Sequence, residues 1–136
     1  MTRVAAVAAL AALALGGCGG GDEKDEVRSA IQAYLDSFVK GDAERTCSLM
    51  TAKTRREFVR GARSLTPTND CATATIAVRD AAGRKAIEAL RDARISNVRI
   101  EGSSATARLR ASSGESVATL TKEGGEWKVS SVPGSQ

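Results

Sequence analysis

Two hydrophobic periods divide the chain. From Val27 to about Ser64 apolar positions recur every three or four residues, and from Ile95 onward they recur every two. A helical half therefore precedes a stranded half. Val27, Ala30, Ile31, Tyr34, Leu35, Phe38 and Val39 form one stripe, which predicts a helix of about 14 residues with Asp25 as its N-cap and Gly41 as its stop. Asp42 caps a second short helix through Met50, with Ala43, Thr46, Cys47 and Met50 facing inward. Thr51 caps a third through about Ser64, carrying Ala52, Phe58, Val59 and Ala62, and Pro67 then stops propagation. The stretch Asp70–Arg91 carries two signals. Asp70 has the character of an N-cap, and Ala86, Ile87 and Leu90 read as one helix face, but Thr73–Val78 is β-branched enough for a strand. A helix is the expectation.

In the second half, Val98 and Ile100 alternate with Asn97, Arg99 and Glu101. After Gly102-Ser103, Ala105, Ala107 and Leu109 alternate with Thr106, Arg108 and Arg110. Ser112-Ser113-Gly114 turns the chain into a strand with Val117, Ala118 and Leu120, and Gly124-Gly125 turns it into a fourth anchored by Trp127 and Val129. Short strands separated by Gly and Ser turns predict an antiparallel meander. Its apolar face needs a cover, and the preceding helices supply it. The expected class is α+β: N-terminal helices packed on a curved antiparallel sheet of about four strands.

The first 26 residues fit neither period. Met1-Thr2-Arg3 precedes twelve apolar residues, Val4–Leu15, and then Gly16-Gly17-Cys18. A positive start, a short apolar run and a small-residue cleavage zone are the layout of a secretory signal peptide over 1–17. A spanning helix would need about 20 apolar residues. Leu15-Gly16-Gly17-Cys18 resembles the lipobox of bacterial lipoproteins, which implies lipidation of Cys18, cleavage before it and anchoring on the outer face of the cell membrane. Acylation at two positions suffices for stable attachment. Gly19-Gly20-Gly21 and the acidic run Asp22–Glu26 then read as a flexible tether over 18–26, leaving one domain over 27–133.

Composition narrows the chemistry. The chain lacks histidine, which removes the commonest general base and metal ligand, and no cofactor or metal site is expected. Residues 27–136 carry 18 basic and 12 acidic side chains. An exported chain whose arginines are not interleaved with stacking aromatics is not expected to bind nucleic acid. With Cys18 lipidated, Cys47 and Cys71 are the remaining thiols in an oxidising exterior, so one disulfide is expected.

The segment Ala30–Ala43, an amphipathic helix with an inward tyrosine closing on Gly41-Asp42, resembles the nuclear-transport-factor-like superfamily, which includes ketosteroid isomerases and polyketide cyclases. The terminal hairpins with the late Trp127 are similar too. Together with the lipobox and the two cysteines, the layout resembles small actinobacterial lipoproteins of the same cone-shaped fold. The resemblance implies a pocket lined by Tyr34, Phe38, Phe58 and Trp127. It also places Tyr34 where the isomerases hold the tyrosine that stabilises an oxyanion. Those enzymes need a carboxylate base as well, and Ser64–Cys71 offers only Asp70, which reads as a cap. The expectation is a non-catalytic, lipid-anchored envelope module for a small apolar ligand or a protein partner. The alternative is an isomerase- or cyclase-like enzyme acting through Tyr34 on a hydrophobic ring. Arg99, Arg108, Arg110 and Lys128 are expected on the outer sheet face, where like charges oppose pairing, so a monomer is expected.

Overall fold

The computed structural model describes residues 21–131. The leader over 1–17 and Cys18 lie outside the described residues. The first helix, α1, spans Gly21–Lys40 and begins earlier than its apolar stripe. Asp25 is therefore not a cap, and residues 21–26 are helix rather than tether. Negative side chains are favoured at a helix N-terminus, and Asp22 and Glu23 occupy the first turn. Glu23 also pairs with Lys122 at 3.6 Å, and Asp25 with Arg28 at 3.2 Å. At the other end Gly41, at φ 79°, closes a Schellman turn: its N–H reaches Phe38 O at 3.1 Å, and that of Asp42 reaches Ser37 O at 2.9 Å. The Arg79 guanidinium donates to Phe38 O at 3.0 Å and Val39 O at 2.8 Å, satisfying carbonyls that the helix end leaves open.

Helix α2, Ala43–Ser48, is capped by Asp42, whose carboxylate accepts from Arg45 N. It ends two residues short of Met50, which instead forms a parallel bridge with Val129. Thr51 N donates to Val129 O at 2.9 Å and Val129 N to Leu49 O at 2.8 Å. These bonds occupy backbone groups that an edge strand would otherwise expose. Helix α3, Ala52–Gly61, starts at the Thr51 cap and continues as a 3₁₀ turn over Ala62–Ser64. Helix α4, Cys71–Arg91, includes Thr73–Val78, so the cap and the alanines outweigh β-branching there. The Asp70 carboxylate accepts from Thr73 N at 2.8 Å. Inside α4, Gly83 at φ 82° and ψ 166° breaks the helical path, a geometry that costs an L side chain more than glycine.

Strands β1 (Arg94–Glu101), β2 (Ser104–Ala111), β3 (Gly114–Glu123) and β4 (Glu126–Ser131) form an antiparallel meander in the order β1-β2-β3-β4. Ile95, Val98 and Ile100 all pack on the inner side, although strict alternation would turn Ile95 out. A register shift between Ser96 and Arg99, with Asn97 at φ 50°, absorbs the extra residue. The inner floor is small in the middle: Ala107 lies opposite Ala118, and Ala105 opposite Leu120. In β3, Ala118 and Leu120 are buried while Val117 faces out at 58% exposure. Arg99, Arg108 and Arg110 are exposed on the outer side as expected, while Lys128 is half-buried and donates to Ser48 O at 2.7 Å.

The helices cover this sheet in two layers. Helix α1 lies on the floor, burying Val27, Ile31, Tyr34 and Leu35 with Leu120, Trp127 and Val129. Helix α4 packs mainly on α1 and α2, meeting Phe38 and Val39 through Ile87. A third cluster of Val59, Ala62 and Ala74 joins α3 to α4. The Cys47–Cys71 disulfide, with Cα atoms 6.1 Å apart, ties α2 to the start of α4. The architecture is α+β, four helices against a four-stranded antiparallel sheet.

Candidate functional site

The four aromatics expected to line one pocket do not all meet. Tyr34 and Trp127, each 5% exposed, share the main core cluster, and Phe58 packs against it from α3. Phe38 lies one turn beyond Tyr34 on the same stripe, but at that point α1 faces α4. Its partners are Val39 and Ile87, in a separate cluster. Ala105, Ala107 and Ala118 of the floor share this cluster with the bulkier rings of Tyr34 and Trp127. Among the described residues, surface clefts of about 430, 460 and 300 Å³ are lined by other side chains.

Two polar groups stand inside this apolar cluster. Burial pushes the Tyr34 hydroxyl well above its ordinary value, so it keeps its proton and offers a donor rather than a base. The Trp127 indole Nε1–H is buried without a hydrogen-bond partner among the described residues. Leaving such a donor unmet costs about 1–3 kcal/mol, and native proteins leave few buried polar groups in that state. The sheet edge beside Trp127 carries a second feature that the sequence pattern did not reveal. Lys122 lies directly opposite Trp127 across β3 and β4, with its ammonium 5.5 Å from the ring centroid. The same ammonium pairs with Glu23 from the first turn of α1. A cation over an indole is favourable, and here it joins the helix N-terminus to the ring's rim.

The carboxylates are elsewhere. Among the described residues every Asp and Glu is exposed except Glu23, which is half-exposed at the rim. Asp70 is occupied as a cap, and its hydrogen bonds from Thr73 hold it below the ordinary carboxylate range. Cys47 and Cys71 form the expected disulfide and take no part in the aromatic cluster. Among the described residues no cluster of three or more Cys, Asp or Glu side chains is arranged to hold a metal ion.

Four helices packed against a four-stranded antiparallel meander, with Tyr34 and Trp127 in the core between α1 and the sheet, define a nuclear-transport-factor-like domain. The chain belongs to the family described as "Putative lumazine-binding", whose model matches residues 22–132. The match begins within the first turn of α1, five residues before Val27, where the apolar stripe that the sequence pattern picks out begins. No curated protein and no solved structure matches the chain.

Proposed function

We propose that the protein is an exported, lipid-anchored and non-catalytic module that binds a small flat ligand bearing carbonyl acceptors. Lumazine is the compound of that class to which the family description points. The observation that carries this reading is the unpartnered Trp127 indole N–H inside the apolar core. None of the three described clefts opens onto Trp127, so a ligand reaches it by parting the core between helix and sheet; a ring carbonyl then accepts from a donor left unmet in the free protein. Tyr34, held neutral by burial, is the second donor. The alternative, an isomerase- or cyclase-like enzyme, has its oxyanion donor in Tyr34 but needs a base within hydrogen-bond reach. The position of the carboxylates, at the surface throughout 21–131, favours binding over proton transfer.

Anchoring follows from Leu15-Gly16-Gly17-Cys18. Gly19 and Gly20 alone separate Cys18 from Gly21, where α1 begins. The three residue steps from Cys18 to Gly21 reach at most about 11 Å, so the lipid holds the domain close to the outer membrane face. The domain is a monomer, because pairing through the outer sheet face would desolvate Arg99, Arg108 and Arg110 against their own copies. Native purification from membranes, with mass spectrometry of the mature N-terminus and of any retained small molecule, tests both parts. The expected result is an acylated Cys18 terminus and a retained heteroaromatic. A mature terminus elsewhere contradicts the anchor. An empty protein that also gives no heat on titration with lumazine contradicts the binding role.

A further inference from the structure

The 460 Å³ cleft between α3 and the start of α4 differs from the other two clefts in charge. Its lining includes Arg55, Arg56, Arg60 and Arg63 together with Asn69, and it holds no carboxylate. The cleft at the Gly83 bend balances Arg79, Arg84 and Arg91 with Asp80 and Glu88, and the one on the outer sheet sets Arg108 against Glu115. Among the described residues none of the four α3-side guanidiniums has a salt-bridge partner, whereas Arg108 and Arg110 share Glu115 at 3.4 and 3.6 Å. Glu57, the acid within α3, pairs with Lys53 and stands outside the cleft lining, although Arg60 and Arg56 also help to hold it below the ordinary carboxylate range, and Asp70 is turned to Thr73.

The cluster is also held in place. Arg55 donates to Met50 O at 3.1 Å and to Cys47 O at 3.4 Å, so its half-buried guanidinium is fixed by main-chain carbonyls that leave its charge uncompensated. Arg56, Arg60 and Arg63 follow at helical spacing on one side of α3 and its 3₁₀ extension. Like charges three and four residues apart repel. The opposite wall, Asn69 and Cys71, is pinned by the disulfide to α2. An anion entering this cleft meets a preformed positive field and relieves the repulsion along α3.

We propose that this cleft binds a phosphate ester carrying two or more negative charges, at a site separate from the Trp127 core. The choice of phosphate follows from acceptor number. A carboxylate offers two oxygens and one charge, enough for a single guanidinium fork, whereas a phosphate group or pair of phosphates offers more oxygens and charges to several forks at once. Such a group comes either from a soluble phosphorylated compound or from an anionic lipid headgroup, and the test separates the two.

The full chain is titrated calorimetrically with inorganic pyrophosphate and, separately, with dihexanoyl phosphatidate, a phosphomonoester lipid, dihexanoyl phosphatidylcholine serving as the zwitterionic control. The double variant Arg56→Gln/Arg60→Gln removes two exposed guanidiniums without disturbing the Arg55 bonds. Arg84→Gln/Arg91→Gln makes the same change in net charge at the other cleft. The expected result is saturable binding that weakens by about tenfold or more in the first variant, which loses two charge-assisted contacts, and is unchanged in the second. Preference for pyrophosphate identifies a soluble source, and preference for phosphatidate over the choline lipid identifies a headgroup. Equal weakening in both variants would show a net-charge effect and overturn the proposal, as would the failure of both anionic probes to saturate.

Discussion

Against the sheet, α1 buries Val27, Ile31, Tyr34 and Leu35 on a floor that includes Leu120, Trp127 and Val129, whereas α3 and α4 meet over Val59, Ala62 and Ala74. The first contact is built from large side chains, each worth about 1.5–3 kcal/mol when fully buried. The second is built mostly from alanines, which return much less. The covalent bridge lies on the second side, tying α2 to the start of α4. It constrains the unfolded chain by closing a loop across a separation of 24 residues. Where apolar area is plentiful, packing alone holds the layers. Where it is scarce, the disulfide substitutes for it, and the freed surface carries the arginine cleft.

The comparison breaks most visibly at Leu120, which is fully buried in the floor. Leu120→Ala should cost about 4 kcal/mol through lost transfer energy and the cavity left behind, read as a large drop in urea midpoint. A loss under about 1 kcal/mol would mean that the sheet side is not densely packed. Next, Cys47→Ser/Cys71→Ser should cost about 3 kcal/mol, and the loss should be local. Amide exchange should rise in α3 and the first half of α4 while β2 and β3 stay protected. Equal deprotection of all four would show one cooperative unit and dissolve the contrast.

Alkaline pH probes the sheet side through the chain's single tyrosine. Tyr34 has a folded pKa raised by burial, so the unfolded state releases its proton first as pH rises. Stability is full below about pH 10 and falls above it by up to about 1.4 kcal/mol per pH unit. Tyrosinate absorbance should therefore appear together with unfolding. A titration near pH 10 by a protein that remains folded would place Tyr34 in water. The smallest effect is on the charged side and opposite in sign. Arg56 has Lys53 three residues before it and Arg60 four after, so Arg56→Gln should stabilise the free protein by about 0.3 kcal/mol. A destabilisation of that size would show that the arginine row is not repulsive.

How much of this was legible depended on whether a signal was local. The meander was readable because period two places Ala105, Ala107 and Leu109 on one face whatever lies beyond, and β2 buries those three. Even the β1 irregularity leaves a trace, in the three-residue gap between Ile95 and Val98 that alternation cannot accommodate. The caps at Asp42, Thr51 and Asp70 were readable for the same reason, each acting within three residues. The start of α1 was missed because its glycine and acidic run look like a linker by composition. The pairing of Glu23 with Lys122, a residue 99 positions away, is invisible in a window. Phe38 was grouped with Tyr34 because a stripe records which side of a helix is apolar and not which neighbour covers each turn. The arginine cleft was hidden by counting charge over the whole domain, although the spacing of Arg56, Arg60 and Arg63 was there to be read. The Arg79 bonds to the end of α1 and the orphaned Trp127 N–H are properties of packing alone.

The central claim is that the buried Trp127 N–H is the donor that a carbonyl-bearing ring ligand meets. With one tryptophan in the chain, the indole N–H gives a single nitrogen–proton resonance that needs no assignment by mutation. The account predicts that adding lumazine moves this resonance saturably downfield, as a new hydrogen bond would, with the Tyr34 ring signals shifting at the same concentrations. An indole resonance that stays fixed up to the solubility limit of lumazine would contradict it.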